Sequence, residues 1–189
     1  MTISRWFLVA LLLVAAVIGA GGMMASFAIN HATSTDAFCT SCHTMKLQYA
    51  DQYYQHSKHR SNTEGVRPSC GDCHIPTTNW FIETYVHVTS GVRDVFVELT
   101  HDFSDPKVWE ARRSGLEQEA LADLRTWDSV TCRKCHDAGA IRPKSDAGRE
   151  SHAMLAQGGV TCVDCHTNLV HPAATSAAEP TTIPANKSN

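Results

Sequence analysis

All eight cysteines of this 189-residue chain fall into four copies of one five-residue motif. In each copy two Cys flank two residues, and a His follows at once. This C-x-x-C-H pattern is typical of c-type haem attachment, in which both thiols add to the haem vinyl groups and the His ligates the iron. Neither a disulfide framework nor a structural zinc site explains a His after every pair. We therefore predict four covalent haems c, numbered in chain order, on Cys39 and Cys42, Cys70 and Cys73, Cys132 and Cys135, and Cys162 and Cys165, with His43, His74, His136 and His166 as motif ligands.

The motifs form two pairs, because successive first cysteines are 31, 62 and 30 residues apart. The spacing predicts two dihaem units, about 31–79 and 128–171, joined by helices over about 80–127. His59 and His152 lie eleven and ten residues before the first cysteine of the second motif in their unit. A second axial His at such a position would give a six-coordinate iron suited to electron transfer.

His171, five residues after the last motif, is the third candidate distal ligand, although the first unit carries Asn79 at the equivalent position. Three candidates leave one haem without a second His. The first motif differs from the others because Met follows it, in the order His43-Thr44-Met45. A thioether is an alternative iron ligand, so either His43 or Met45 ligates haem 1 and the far face stays open. Ordinary packing is the other interpretation of Met45.

The segment Trp80–His101 is predicted to be helical. Its apolar residues recur at steps of 4, 3, 4, 3 and 4, at Phe81, Tyr85, Val88, Val92, Val95 and Leu99. A second face carries ionisable residues spaced 7, 4 and 3 apart, namely His87, Asp94, Glu98 and His101. This polar face is either simply solvated or a proton-accepting site beside haem 1.

The N-terminal segment Trp6–Ile29 contains 24 residues without a charge. About 20 such residues cross a bilayer, and Arg5 just before them places the N-terminus in the cytoplasm. These features predict a single-pass protein of the bacterial inner membrane with a periplasmic haem domain. A cleaved signal peptide is the alternative, but the apolar run continues beyond its expected cleavage site at Gly19-Ala20-Gly21.

Composition narrows the class of protein further. The net charge of −3 lacks the basic excess that a nucleic-acid-binding protein needs. The 43% of hydrophobic residues exclude a chain that is disordered along its whole length. Four haems would supply much of the core, so the apoprotein is not expected to fold alone. We predict a mainly α fold: an anchor over 1–30, a haem-packed domain over 31–171, and a disordered tail over 172–189 that is rich in Ala, Thr and Pro.

An anchor followed by four such motifs resembles the NapC/NirT family of membrane-anchored tetrahaem quinol dehydrogenases, which has NrfH-like members. The resemblance covers the chain up to His171 and rests on Cys39 to Met45 as C-x-x-C-H-x-M, Gly65-Val66-Arg67, His74-Ile75-Pro76, His152 and His171. It implies distal ligands at His59, His152 and His171, Met45 as axial ligand of haem 1, and the family's acidic residue at Asp94. The chain departs from the family at Thr77, often His in NapC-like members, and at His87, often Lys in NrfH-like members.

The function that this resemblance implies is oxidation of menaquinol or ubiquinol at the membrane face, with Asp94 and His87 as contacts of the quinol. Electrons would pass from haem 1 through haems 2 to 4 to a periplasmic reductase or soluble cytochrome in anaerobic respiration, with nitrate, nitrite or a similar acceptor. Reverse flow into the quinone pool and a passive haem-bearing anchor for a catalytic subunit are the alternatives. A homo-oligomer and a hetero-complex are both compatible with the sequence.

Overall fold

A computed structural model describes residues 4–174. The chain is mainly α, and no β-strand occurs within that range. The long helices are α1 (Arg5–Thr33), α6 (Trp80–Thr100), α7 (Pro106–Thr126) and α9 (Asp146–Gln157). The short ones are α2 (Asp36–Cys39), α3 (His43–Ala50), α4 (Gln52–His56), α5 (Cys70–His74), α8 (Val130–Arg133) and a 3-10 turn at Cys162–Asp164.

Helix α1 is long and apolar enough to cross a membrane, with a mean hydropathy of 2.5 over its most apolar window. It has no proline and extends four residues beyond the uncharged run, to Thr33. None of the side chains in that window is buried against the rest of the protein. An apolar surface without a protein partner is what lipid covers, so α1 fits a membrane anchor.

Helix α6 packs beside the last turns of α1 and runs parallel to it. The Asn79 side chain begins α6 by accepting the Ile82 amide N–H at 3.0 Å. Three hydrogen bonds then join the two helices in ascending order along both: Trp80 to Ser26 at 3.2 Å, Asn30 to Thr84 at 2.9 Å, and Ser34 to His87 at 3.2 Å. The base of α6 therefore lies at the end of the membrane helix, and its polar face turns toward the segment that enters the first motif.

Few large apolar side chains are buried in the described residues, and they are Tyr54, Val86, Phe103 and Val163. A protein of this size normally buries a much larger apolar core. The deficit agrees with the expectation that haems fill the interior between the short helices.

Helix α7 connects the two halves of the haem domain. Asp105 caps its first turn and Pro106 occupies its first position, where a missing N–H costs nothing. At its other end Arg125 pairs with Asp164 in the last motif at 2.7 Å.

The first residues of the predicted tail contact α7. Pro172 and Ala174, which were predicted to belong to the tail, form hydrogen bonds with side chains of α7. The rest of the predicted tail, 175–189, lies outside the described residues.

Gly71, the residue after the first cysteine of the second motif, lies directly against the end of α1. A Cβ at this position would come within 2.5 Å of the Ser34 carbonyl oxygen. The last motif has Val163 at the equivalent position, and that side chain is buried without conflict. The close approach to α1, rather than the haem motif itself, therefore requires glycine at position 71.

We predict that Gly71→Ala separates α5 from α1, because backbone rather than a flexible side chain occupies the space. Overpacking of this kind costs about 1–3 kcal/mol, so the holoprotein should melt at a lower temperature. Gly115→Ala in α7 is the control, since nothing lies within 4 Å of a Cβ there. Thermal unfolding followed by haem absorbance measures both, and equal melting temperatures for Gly71→Ala and the wild type would contradict the contact.

Candidate haem-binding site

Each of the three predicted distal histidines lies against a different motif histidine. The ring centroids are 6.0 Å apart for His59 and His136, 5.9 Å for His152 and His166, and 6.3 Å for His171 and His74. Only His152 stays within its own unit. His59 of the first unit reaches the third motif, and His171 of the second unit reaches the second motif, so the two units exchange one histidine each.

These separations fit one iron between two imidazoles. A metal–imidazole bond is about 2.0–2.1 Å long, so two opposed nitrogens around one metal lie about 4 Å apart. The ring centres lie about 1 Å further out on each side, which gives a centroid separation of about 6 Å. The three pairs therefore have the spacing that bis-His haem ligation requires.

The protonation states of the paired rings also suit ligation. Burial lowers the pKa of His171 to about 4, and the neighbouring His74 contributes to this shift. Burial likewise lowers the pKa of His74, and the pKa of His59 is lowered by desolvation and then by His136. The neutral imidazole is the form that binds a metal, so these rings are held ready to ligate at neutral pH.

Neighbouring groups orient two of the distal rings. The Nδ1 atom of His152 lies 2.7 Å from the Gly148 carbonyl oxygen, which leaves Nε2 free to face His166 when Nδ1 carries the proton. His171 stacks on the buried Tyr54 ring, with centroids 6.0 Å apart and planes 13° from parallel. By contrast His56, the nearby alternative to His59, is exposed and bonds only to its own helix at Gln52.

The four motifs contact one another in chain order. The side chains that make these contacts lie in or just before the motifs: Asp36 accepts the Cys70 amide N–H at 2.8 Å, Lys134 pairs with Asp72 at 2.9 Å, and Ser129 accepts the Cys162 amide N–H at 3.1 Å. The attachment sites thus form a continuous series from the end of α1 to the last motif.

The same type of contact occurs once in each dihaem unit, and the sequence alone did not predict this contact. Asp36 and Ser129 each lie three residues before the first cysteine of their unit, and each accepts the first amide N–H of the second motif. In both second motifs an Asp also closes a capping box with the residue before the motif, Asp72 with Ser69 and Asp164 with Thr161. The equal spacing of Asp36 and Ser129, and of Asp72 and Asp164, from the cysteines of their motifs could have indicated these contacts from the sequence.

The first motif differs from the others in its surroundings. Within the described residues, no second histidine ring lies against His43 as one does against each of the other three motif histidines. Instead His43 lines an open cavity of about 560 Å³ together with Glu98 of α6 and with His101 and Phe103 of the α6–α7 connection. The Thr44 amide N–H donates to Glu98 at 3.2 Å, which holds α3 against α6. Met45 is 44% exposed.

Asp94 and His87 both lie on the face of α6 that points toward the first two motifs, two helical turns apart and without direct contact. The Asp94 carboxylate pairs with Arg93 at 3.5 Å and lies within electrostatic reach of Cys39 and His74. Desolvation raises the pKa of Asp94, although Arg93 opposes the shift. His87 bonds to Ser34 at the end of α1 at 3.2 Å.

Comparison with known proteins identifies a family and several tetrahaem relatives. The family model described as NapC/NirT cytochrome c family, N-terminal region, matches residues 1–176. A protein of Nitrosomonas europaea described as a tetrahaem c-type cytochrome is 37% identical over 162 residues, which cover 85% of this chain and 67% of that protein. One of Allochromatium vinosum with a similar description is 33% identical over 156 residues, covering 80% of this chain and 83% of the relative.

A longer relative shares only part of its length. The cytochrome c-type protein TorY of Haemophilus influenzae is 35% identical over 156 residues, which cover 82% of this chain but 41% of TorY. The chain thus spans about two-fifths of that protein. No solved structure matches the chain.

Proposed function

The chain belongs to the NapC/NirT cytochrome c family, and from that premise we propose that this tetrahaem cytochrome c is a quinol dehydrogenase supplying a periplasmic reductase. Membrane-anchored electron transport by covalently bound haem c follows from the family and its tetrahaem relatives. One observation carries the quinol assignment. The polar face of α6 holds Asp94 and His87 beside the first motif, at the end of the membrane helix.

We assign the axial ligands from the ring pairs. His74 and His171 would hold haem 2, His136 and His59 would hold haem 3, and His166 and His152 would hold haem 4. Haem 1 would be held by either His43 or Met45, since no imidazole lies opposite His43 within residues 4–174. The irons would supply one-electron chemistry, and the first motif follows the membrane helix closely, where quinol is available.

The protein residues supply the proton chemistry. Quinol oxidation releases two protons, and Asp94 is placed to accept one of them. Partial desolvation raises the pKa of this carboxyl above its ordinary value, the direction that favours a general base. Arg93 stabilises the ionised form between turnovers. His87, anchored through Ser34 at the end of α1, serves as the second contact for the quinol.

The series of motif contacts supports outward transfer. The second motif packs on α1 through Gly71, the third motif contacts the second through Lys134 and Asp72, and the fourth contacts the third through Ser129. Because the fourth motif ends this series, haem 4 would be the exit toward a soluble partner in the periplasm, a reductase or a cytochrome.

Quinol-dependent haem reduction by the purified holoprotein in lipid nanodiscs tests the function. We expect both the haem α-band and quinol consumption to report electron transfer from menaquinol or ubiquinol analogues without any other subunit. Chemical reduction with dithionite confirms that all four haems are competent. A passive anchor would be reduced by dithionite but by neither quinol, and that outcome would overturn the proposal. Potentiometric titration with both quinol and quinone present would settle the direction of flow.

A further inference from the structure

The apolar face of α6 is uncovered along its whole length. We call this face the α6 stripe, and it consists of Phe81, Tyr85, Val88, Val92, Val95 and Leu99. These side chains are 55–82% exposed, whereas apolar positions of an amphipathic helix normally face a core. A stripe this long on one helix indicates an interaction surface.

The spacing of the α6 stripe is that of a coiled-coil seam. Steps of 4, 3, 4, 3 and 4 fill alternate d and a positions over three heptads, beginning with Phe81 at d and ending with Leu99 at a. An a/d-only pattern with a 3.5-residue repeat packs one helix against another. A helix covering the broad surface of a globular core usually carries a wider apolar face.

The haem motifs do not cover the α6 stripe. The first motif contacts the polar face of α6, through Thr44 and Glu98, and the end of α1 does so through Ser34 and His87. At 100° per residue, Glu98 and His87 lie about 100° and 120° around the helix from the centre of the stripe. The contacts to the first motif and to α1 therefore lie on a different face of α6 from the stripe.

Lipid reaches only the base of the α6 stripe. Trp80 bonds to Ser26 within the apolar part of α1, but His87 already lies beside Ser34, beyond the uncharged run. Because α6 runs parallel to α1 and rises about 1.5 Å per residue, the stripe from Val88 to Leu99 extends about 17 Å beyond that level. This half of the stripe needs a protein partner.

The exposed area is large enough for a dimer. Phe81 and Tyr85 in the α6 stripe, and Phe96 at its border, are exposed aromatic residues, which bury about 150–250 Å² each when covered. With the aliphatic members, roughly 1,000 Å² is available, against about 800 Å² per partner in stable interfaces. A shallow depression of about 480 Å³ lies beside the stripe and is lined by Gly91, Val92, Val95, Phe96 and Leu99. The space next to Gly91 is open.

We propose that the α6 stripe packs against the α6 stripe of a second copy of this chain, as a parallel two-stranded coiled coil standing on the membrane. The α6 stripe begins at the level of the membrane helix, where Trp80 bonds to Ser26. A second copy anchored in the same bilayer therefore presents its own stripe at the same height and in the same direction. Anchoring in one membrane also raises the effective concentration of the two helices.

Subunit counting on the full-length holoprotein in lipid nanodiscs tests this pairing. We expect two copies per particle for the wild type and one copy for the double variant Val92→Glu, Val95→Glu, with an unchanged haem content of each chain. Val66→Glu is the matched control, since Val66 is also 61% exposed but lies outside the stripe, and it should stay dimeric. A wild type with one copy per particle, or a dimeric double variant, would overturn the proposal.

A photo-cross-linking amino acid tests the same contact without disturbing folding. Placed at position 92 in the stripe, it should join two chains, and placed at position 90 on the opposite side of α6 it should not. Cross-links from position 92 only to lipid, or only to a different protein, would refute the second copy as the occupant. Because neither readout involves quinol, a failed dimer leaves the quinol assignment standing, and the reverse also holds.

Discussion

Replacing His171 by Ala should convert one low-spin, six-coordinate haem into a high-spin haem while all four haems stay attached. His171 lies against His74 with ring centroids 6.3 Å apart, so under the proposed ligand assignment its loss would remove one axial ligand from haem 2. The effect should amount to one full haem equivalent in the EPR spectrum, added to the signal expected from the open haem 1. The covalent thioether links do not depend on the distal side, so a pyridine haemochrome assay should still return four haems per chain.

Two companion variants show that the effect is specific. His56→Ala should leave the spectrum unchanged, since His56 is exposed and bonds to its own helix. Imidazole added to His171→Gly should restore the low-spin signal by filling the space beside Tyr54, on which His171 stacks. An EPR spectrum of His171→Ala identical to the wild type would show that this ring pair does not ligate haem 2.

Asp94→Asn should slow quinol oxidation by about 100-fold or more, within the range of about 10²–10⁴ that a general base contributes. The amide keeps the shape of the carboxylate but cannot accept the proton. Steady-state oxidation of a quinol analogue in nanodiscs measures the rate, while haem content and optical spectra should remain unchanged. Because the pKa of Asp94 is raised, wild-type activity should fall on acidification at a higher pH than for an ordinary Asp, as the base becomes protonated.

Glu119→Gln is the matched control for Asp94→Asn. Glu119 pairs with the same Arg93 at the same 3.5 Å distance, but it belongs to α7. If loss of an ion pair to Arg93 were the cause, both variants would be equally slow. We expect Glu119→Gln to oxidise quinol at nearly the wild-type rate. A wild-type rate for Asp94→Asn would instead mean that the polar face of α6 is only solvated.

The family and the helical class were predictable from the sequence because each depends on short local patterns. Five consecutive residues specify a haem attachment site, and 24 uncharged residues specify a membrane-crossing helix. The periodicity of Trp80–His101 likewise predicted a helix that the structure has at Trp80–Thr100. Repeat offsets also singled out His59 and His152 as distal-ligand candidates, and position after the last motif did so for His171.

The partners of those histidines required the tertiary structure. His59 meets His136 and His171 meets His74, across 77 and 97 residues of chain, and no local pattern encodes a contact between units. The same holds for Asp36 and Ser129, whose roles emerge only where they accept amide N–H groups 33 or 34 residues away. The exposure of the α6 stripe is a further example. The spacing of its residues can be read from the sequence. Only the packing of α6 on α1 and on the first motif shows that this face remains exposed, because burial depends on neighbours from distant parts of the chain.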